Sequence, residues 1–289
     1  MLPPKFDYAA PGTLDEVFSL LEQHGGQAKL LAGGQSLIPL LKLRFASPAI
    51  LVDINKVPGL SGIDESSGEL RIGAMARHSE IGASELLKAR YPLLANAAPW
   101  IADPITRTRG TMGGSLAHAD PAGDWGSVML ALGASVIAKA SSGERTIPIT
   151  DFFRGPFRSA LEPGEMLTEI RVPAATDRSG GAYLKLERKV GDFATVGVAV
   201  QLQLSNGTIG RAGIGLTAVG PRNIEASAAA GALAGQAPSP EVFDEAARLA
   251  AEAADPSSDV RGSAEYKRNV VQTFVRRGLN QALELAQSG

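Results

Sequence analysis

Apolar positions recur along this chain with periods that change twice, and the changes divide it into three. In TLDEVFSLLEQHG, residues Leu14, Val17, Phe18, Leu20 and Leu21 share one helical face. Thr13 is placed to cap that helix and Gly25 to end it. AKLLAG then predicts a short buried strand, and SLIPLLKLRF a helix whose Pro39 sits in the first turn, where a missing N–H costs little. AILVDI (Ala49–Ile54) predicts a second apolar strand ending at Asp53. Together they make a small α/β unit over residues 1–56.

Over residues 57–176 short strands mix with helices. ELRIGAM and ASVIAKAS read as strands, and SELLKARYPLLANAAPWI as helix broken at Pro92. GTMGGSLAHADPAGDW has no amphipathic period and predicts a loop. A long loop inside a compact domain is functional or disordered, and its small residues between well-patterned elements favour the first. After the polar stretch PAATDRSGG (Pro173–Gly181), residues 177–289 form a third unit. AYLKLERK, ATVGVAVQLQL and TIGRAGIGLTAV alternate as antiparallel strands, the last two joined by SNG, whose asparagine and glycine accept positive φ. The final helix carries Val270, Val271, Phe274, Val275 and Leu279 on one stripe.

Composition narrows the chemistry. The formal net charge is −2 with no basic run, so no nucleic-acid partner is expected. No apolar run reaches the ~18–20 residues of a transmembrane helix. MLPPKFDYAAPGT shows no charged-then-apolar leader, so no signal peptide and a cytoplasmic location are expected. The chain has no cysteine, which excludes disulfides, thiolate metal sites and cysteine-ligated iron–sulfur clusters within it. With His24, His78 and His118 as the three histidines, no metal site is expected, so any redox chemistry needs an organic cofactor.

Two glycine-rich stretches remain, LLAGGQSLIPLL (Leu30–Leu41) and TRGTMGGSLAHADPAGD (Thr108–Asp124). Gly33 and Gly34 serve either a plain strand-to-helix turn or a phosphate cradle, in which backbone N–H groups face an anion. Neither G-x-G-x-x-G nor G-x-x-x-x-G-K-[ST] is present, which argues against a Rossmann or ATP site. TMGGS repeats the paired glycines beside hydroxyl residues, and two cradles suit a diphosphate better than one. Asp120 and Asp124 serve either as turn caps or as ribose or adenine partners. His118 reads as a loop histidine before a base, and Trp100 and Trp125 as packing residues. Arg107 and Arg109 are either surface charge or partners of a phosphate or of another subunit.

AGGQSL, TMGGSLAHADPAGD, PGEMLTEIRVP (Pro163–Pro173) and KLERKVGDFATVGVAV (Lys185–Val200), in that order, resemble the FAD-binding medium subunits of molybdenum hydroxylases. The likeness covers nearly the whole chain and is strongest to the carbon monoxide dehydrogenase medium chains, with kinship to the flavin domain of xanthine dehydrogenase. It implies an α+β protein: an FAD-binding fold of the vanillyl-alcohol-oxidase/PCMH type in two α/β subdomains, followed by a three-stranded antiparallel sheet with helices. By position it implies that Leu30, Leu31, Ala32, Gly33, Gly34, Gln35, Ser36 and Leu37 wrap the FAD pyrophosphate. Thr111, Met112, Gly113, Gly114 and Ser115 would form the second cradle, and Asp124 would bind toward the adenosine. Ile101 and Leu167 would wall the ring system, Lys185 would make a polar contact, and Phe193 would lie over the ring. Many relatives carry tyrosine at the Phe193 position, and Ser115 stands where asparagine is common in the carbon monoxide enzymes.

The resemblance implies a subunit that accepts electrons from an iron–sulfur small subunit, beside a molybdenum-cofactor large subunit, in a dimer of heterotrimers. No catalytic side chain of its own is expected. Two other functions remain open: a standalone FAD-dependent oxidoreductase of the same fold, and a non-enzymatic assembly module that keeps the fold.

Overall fold

The computed structural model describes residues 2–288. The first unit holds β1 (Asp7–Ala9), α1 (Leu14–His24), β2 (Ala28–Leu31), α2 (Leu37–Lys42) and β3 (Ile50–Asp53). Its sheet has the order β1-β3-β2, parallel throughout. Thr13 caps α1 as expected: its hydroxyl accepts from the Glu16 N–H, and the Glu16 carboxylate accepts from the N–H groups of Gly12 and Thr13. The buried stripe Val17, Phe18 and Leu21 packs with Ile50 and Val52 in one apolar cluster. β1 escaped the pattern because a three-residue strand at a sheet edge, with Asp7 and Tyr8 exposed and Ala9 half-buried, needs no alternation.

The second unit contains β4 (Ile63–Ser66), β5 (Glu69–Gly73), α3 (His78–Ala83), α4 (Glu85–Arg90), α5 (Pro92–Ala97), α6 (Pro104–Arg107), α7 (Met112–His118) and α8 (Asp124–Leu132). It continues through β6 (Ser135–Ala140), β7 (Gly143–Pro148), the short α9 (Ile149–Phe152), the small hairpin β8 (Phe153–Gly155) and β9 (Arg158–Ser159), and β10 (Met166–Pro173). The sheet order is β4-β5-β10-β6-β7, every pair antiparallel. Helix breaks at Pro92 as expected, with Pro92 opening α5.

The loop expected across GTMGGSLAHADPAGDW is instead α7, a left-handed Ala119 (φ 52°), an Asp120 turn and the start of α8. Two glycines each cost a helix about 1 kcal/mol relative to alanine, which hides α7 from pattern reading. Gly113 is required because a Cβ there would overlap the Ala74 backbone. All nine residues of α8 are buried, so the helix has no polar face to betray its period.

The third unit pairs β11 (Ser179–Leu186), β12 (Val196–Ser205), β13 (Thr208–Thr217) and the two-residue β14 (Ile224–Glu225), which extends the expected three strands at one edge. Asn206 and Gly207 turn the hairpin with φ of 51° and 80°. Helices α10 (Ser227–Leu233), α11 (Pro240–Ala253) and α12 (Ala264–Ser288) follow. In α12, Val271, Val275 and Leu279 are fully buried and Val270 and Phe274 partly so, against Val196, Val198, Val200 and Leu202 of β12. The opposite sheet face is lined with small residues. Gly213 and Gly215 touch the backbones of Ala131 and Ser127, so α8 lies flat across β13 and joins the second unit to the third.

Candidate functional site

The first glycine segment leaves β2 and enters α2 with its backbone donors unused. Among the described residues, none of the N–H groups from Ala32 to Leu37 donates to a protein acceptor. Gly34 holds φ at 76°, a region costly for residues with a Cβ, and Gln35 and Ser36 are exposed. Consecutive free amides in such a bend make a concavity for an anion. A diphosphate fits this donor set, and no side chain competes for it.

The second segment, expected to form another cradle, is built differently. Four of its five amides are spent inside the protein: Met112 N–H donates to Ala76 O (3.0 Å), Gly113 N–H to Ala74 O (2.9 Å), Gly114 N–H to the Thr111 hydroxyl (3.2 Å) and Ser115 N–H to Thr111 O (3.1 Å), while the Thr111 N–H has no protein acceptor among the described residues. Residues 110–113 are thereby laced to residues 74–78, since His78 N–H also donates to Gly110 O. Gly33 is glycine for a packing reason: a Cβ there would run into Arg109 O and the Gly110 Cα. Gly114 is exposed and would face Ala32 across a gap of 3.7 Å. The two segments are thus one surface, with free donors on the first and a hydroxyl-bearing, tightly laced wall on the second.

A polar chain stands behind that surface. Tyr8 OH donates to Asp53 Oδ2 (2.6 Å), and Asn55 donates to Asp53 Oδ1 through its backbone N–H (2.9 Å) and its Nδ2 (2.6 Å). Asn55 Nδ2 also donates to Ala32 O (2.9 Å), while Asn55 Oδ1 accepts from Arg77 Nη2 (2.5 Å). Arg77 Nη1 donates to Arg109 O. Burial works against the Asp53 charge, yet the hydrogen bonds from Tyr8 and Asn55 hold its carboxyl below the usual range. Sequence reading singled out neither Asn55 nor Arg77, because no local pattern links them to the cradle.

Asp124 and Lys185 also change role. The Asp124 carboxylate accepts from Tyr183 OH (2.5 Å) and Lys185 Nζ (3.2 Å), and Lys185 donates to Trp100 O (2.9 Å) as well. Their side chains are 8% and 1% exposed, so neither presents a charge to a ligand. They tie α8 to β11. Burial raises the Asp124 pKa despite the opposing effects of Lys185 and Tyr183, and burial beside Asp124 pushes Tyr183 well above its ordinary value. The Asp124 backbone N–H, at the start of α8, has no protein acceptor among the described residues.

Leu167 is 4% exposed and belongs to the core of the second unit, so its side chain walls no open site. Ile101 is half-buried, and its carbonyl, with those of Pro99 and Ala102, accepts from Arg107 Nη1. Arg107 is therefore committed to holding that loop. Arg109, whose backbone lies against Gly33, is exposed, and its guanidinium has no hydrogen-bond or ion-pair partner among the described residues. Trp125 packs fully buried, its indole N–H donating to His78 Nδ1 (3.0 Å). Burial, with Arg107 and Arg77 nearby, lowers the His78 pKa to about 4, so its ring is neutral at physiological pH. His118 lies against the Phe157 ring, and Asp120 caps its own turn. Phe193 is 57% exposed on the turn between β11 and β12, where Gly191 touches Ala102 and Arg261 donates to Phe193 O (2.7 Å).

Comparison with known proteins agrees with this geometry. Residues 4–175 match the family described as FAD binding domain in molybdopterin dehydrogenase, and residues 181–282 match the CO dehydrogenase flavoprotein C-terminal domain. The chain is 43% identical to the carbon monoxide dehydrogenase medium chain of Hydrogenophaga pseudoflava, over 98% of each protein. It is 41% identical to the 6-hydroxypseudooxynicotine dehydrogenase complex subunit alpha of Paenarthrobacter nicotinovorans, over 99% of this chain and 97% of that one. Among solved structures, carbon monoxide dehydrogenase from Hydrogenophaga pseudoflava lacking the Mo-pyranopterin moiety superposes with a TM-score of 0.95 at 45% identity, covering 99% of both chains.

Proposed function

We propose, for a chain that belongs to the family of FAD-binding medium subunits of molybdopterin dehydrogenases, that it is the flavoprotein subunit through which a cytoplasmic molybdenum hydroxylase discharges its electrons. The observation that carries this reading is the run of free amides from Ala32 to Leu37, set in a fold shared end to end with such subunits. FAD supplies chemistry that accepts electrons singly and releases them singly or in pairs. The chain's own work is to bind and orient it. The Ala32–Leu37 amides would hold the diphosphate, the exposed Arg109 would offset its charge, and the Asp124 N–H would serve the adenosine side. Half-buried Ile101 and exposed Phe193 would serve the ring.

The electrons come from outside this chain, because without cysteine it holds no cysteine-ligated cluster of its own. An iron–sulfur small subunit delivers them and a molybdenum-cofactor large subunit oxidises the substrate, in a dimer of heterotrimers. Substrate choice resides outside this chain. Relatives named for carbon monoxide and for 6-hydroxypseudooxynicotine stand at 43% and 41% identity, so sequence here does not track the substrate.

The deciding experiment is anaerobic reduction of bound flavin, with and without co-expressed partners. Bleaching by candidate substrates in the assembled complex, and none in the isolated chain, is the expected outcome. Rapid bleaching of the isolated chain by an organic substrate would establish the standalone oxidoreductase instead. Phe193 gives a second check. A core phenylalanine costs about 3–5 kcal/mol when truncated, but this ring is exposed, and substitutions at such positions stay within about 0.5 kcal/mol. Phe193→Ala is expected to leave the thermal midpoint and flavin content near wild type while altering the rate of flavin reoxidation. Unchanged reoxidation kinetics would remove Phe193 from the ring site.

A further inference from the structure

We infer that Arg77 and Asn55 form a clip that fixes the shape of the diphosphate cradle, acting as positioning residues that need not touch the cofactor. The inference rests on the FAD reading above. Six free amides bind an anion well only if they already converge, since ordering the backbone on binding costs conformational entropy. The segment has little of its own to hold it, since Gln35 and Ser36 are exposed and Gly33 and Gly34 have no side chains. What holds it lies outside. Ala32 O is fastened by Asn55 Nδ2, and Gly33 rests on the backbone at Arg109 and Gly110.

One guanidinium connects those two supports. Arg77 Nη2 donates to Asn55 Oδ1 and Arg77 Nη1 to Arg109 O. The Arg77 backbone also bridges to Thr111, which seats it beside the second segment, and its N–H is anchored by Glu80 Oε2 (2.8 Å). Asn55 is itself held by two hydrogen bonds to Asp53 Oδ1. Arg77 therefore joins residues 32–33, 53–55 and 109–111 through neutral acceptors, and its role is geometric. A lysine would keep the charge, but a single ammonium lacks the planar fork that reaches both acceptors at once.

The test uses the full chain freed of flavin, titrated with FAD and with ADP, which carries the diphosphate without the ring. Arg77→Lys and Asn55→Ala are each expected to weaken both ligands by the same factor, about ten- to a hundredfold, by analogy with the loss when a residue that orients a metal ligand is removed. The double variant should bind no worse than the weaker single, because coupled parts of one device are not additive. Thermal midpoints of the flavin-free proteins separate positioning from folding: Arg77→Lys is expected to match wild type. Wild-type affinity in Arg77→Lys overturns the inference. So does weaker FAD binding with unchanged ADP binding, or losses that multiply in the double variant. A lower midpoint with unchanged affinity assigns the pair to stability alone. Wild-type protein that binds neither FAD nor ADP would sink the functional reading itself, before the variants are compared.

Discussion

Gly34→Ala is expected to yield protein that folds but carries little or no FAD. Gly34 sits at φ 76°, where a Cβ costs about 1–2 kcal/mol, and it would also press on the end of the Ile38 side chain. The bend relieves that strain by rotating its peptides, which turns the amides of Gly34 and Gln35 away from the anion. Hydrogen bonds to a charged group are worth about 1.5–3 kcal/mol each, so losing two weakens binding by about a hundredfold or more. Gly68→Ala is the control. That glycine has φ 79° in the turn between β4 and β5, with nothing near its would-be Cβ, so it imposes the same strain away from the cradle. Flavin absorbance per protein, read on both variants, decides the matter. A flavin content in Gly34→Ala equal to wild type, or an equal loss in Gly68→Ala, would discard the cradle. Gly33 is a poorer probe than its neighbour, because a side chain there collides with protein backbone before it meets any ligand.

Features that depend on near neighbours in sequence were legible. The Thr13 cap, the break at Pro92, the SNG hairpin and the stripe on the last helix each follow from spacing within a few residues. So did the bend at Gly33 and Gly34, because a glycine pair between an apolar strand and a helix has few other uses. What failed to show depends on partners far away in the chain. TMGGS looks like a second cradle of free amides, but those of Met112 and Gly113 are bonded to Ala76 and Ala74, a pairing no local pattern reveals. Asn55 and Arg77 are 22 residues apart and look like ordinary polar residues until the fold brings them together. Burial hides information too. A helix enclosed on every side, as α8 is, loses the polar face by which helices are recognised, and its Asp124 side chain, expected to face a ligand, faces Lys185 instead.

The pair formed by those two residues carries the largest expected effect on stability. Lys185→Met removes the cation and leaves the Asp124 carboxylate 8% exposed with Tyr183 and no counter-charge. Breaking a buried ion pair from one side costs about 3–5 kcal/mol, because the remaining charge is stranded. Chemical denaturation at neutral pH is the measurement. The pH dependence carries a sign. Asp124 already has its pKa raised in the fold by burial, and loss of Lys185 raises it further. A carboxyl with a raised folded pKa stabilises the fold while protonated, and that contribution is lost as pH rises from its ordinary value through the raised one. The variant should therefore lie closest to wild type in acid and fall away toward neutrality. Lys185 also faces Glu187 Oε2 (3.5 Å), so Asp124→Asn added to Lys185→Met removes the more buried of the two stranded charges and should recover part of the loss, since replacing both members of a buried pair is often close to neutral. A single variant within 1 kcal/mol of wild type, or a double variant no more stable than the single, would mean that the contact between α8 and β11 is held by packing and that the charges add nothing. The expected pattern instead makes the pair the electrostatic latch between the second and third units, and it separates their joining from the binding of flavin, which the Ala32–Leu37 amides perform elsewhere.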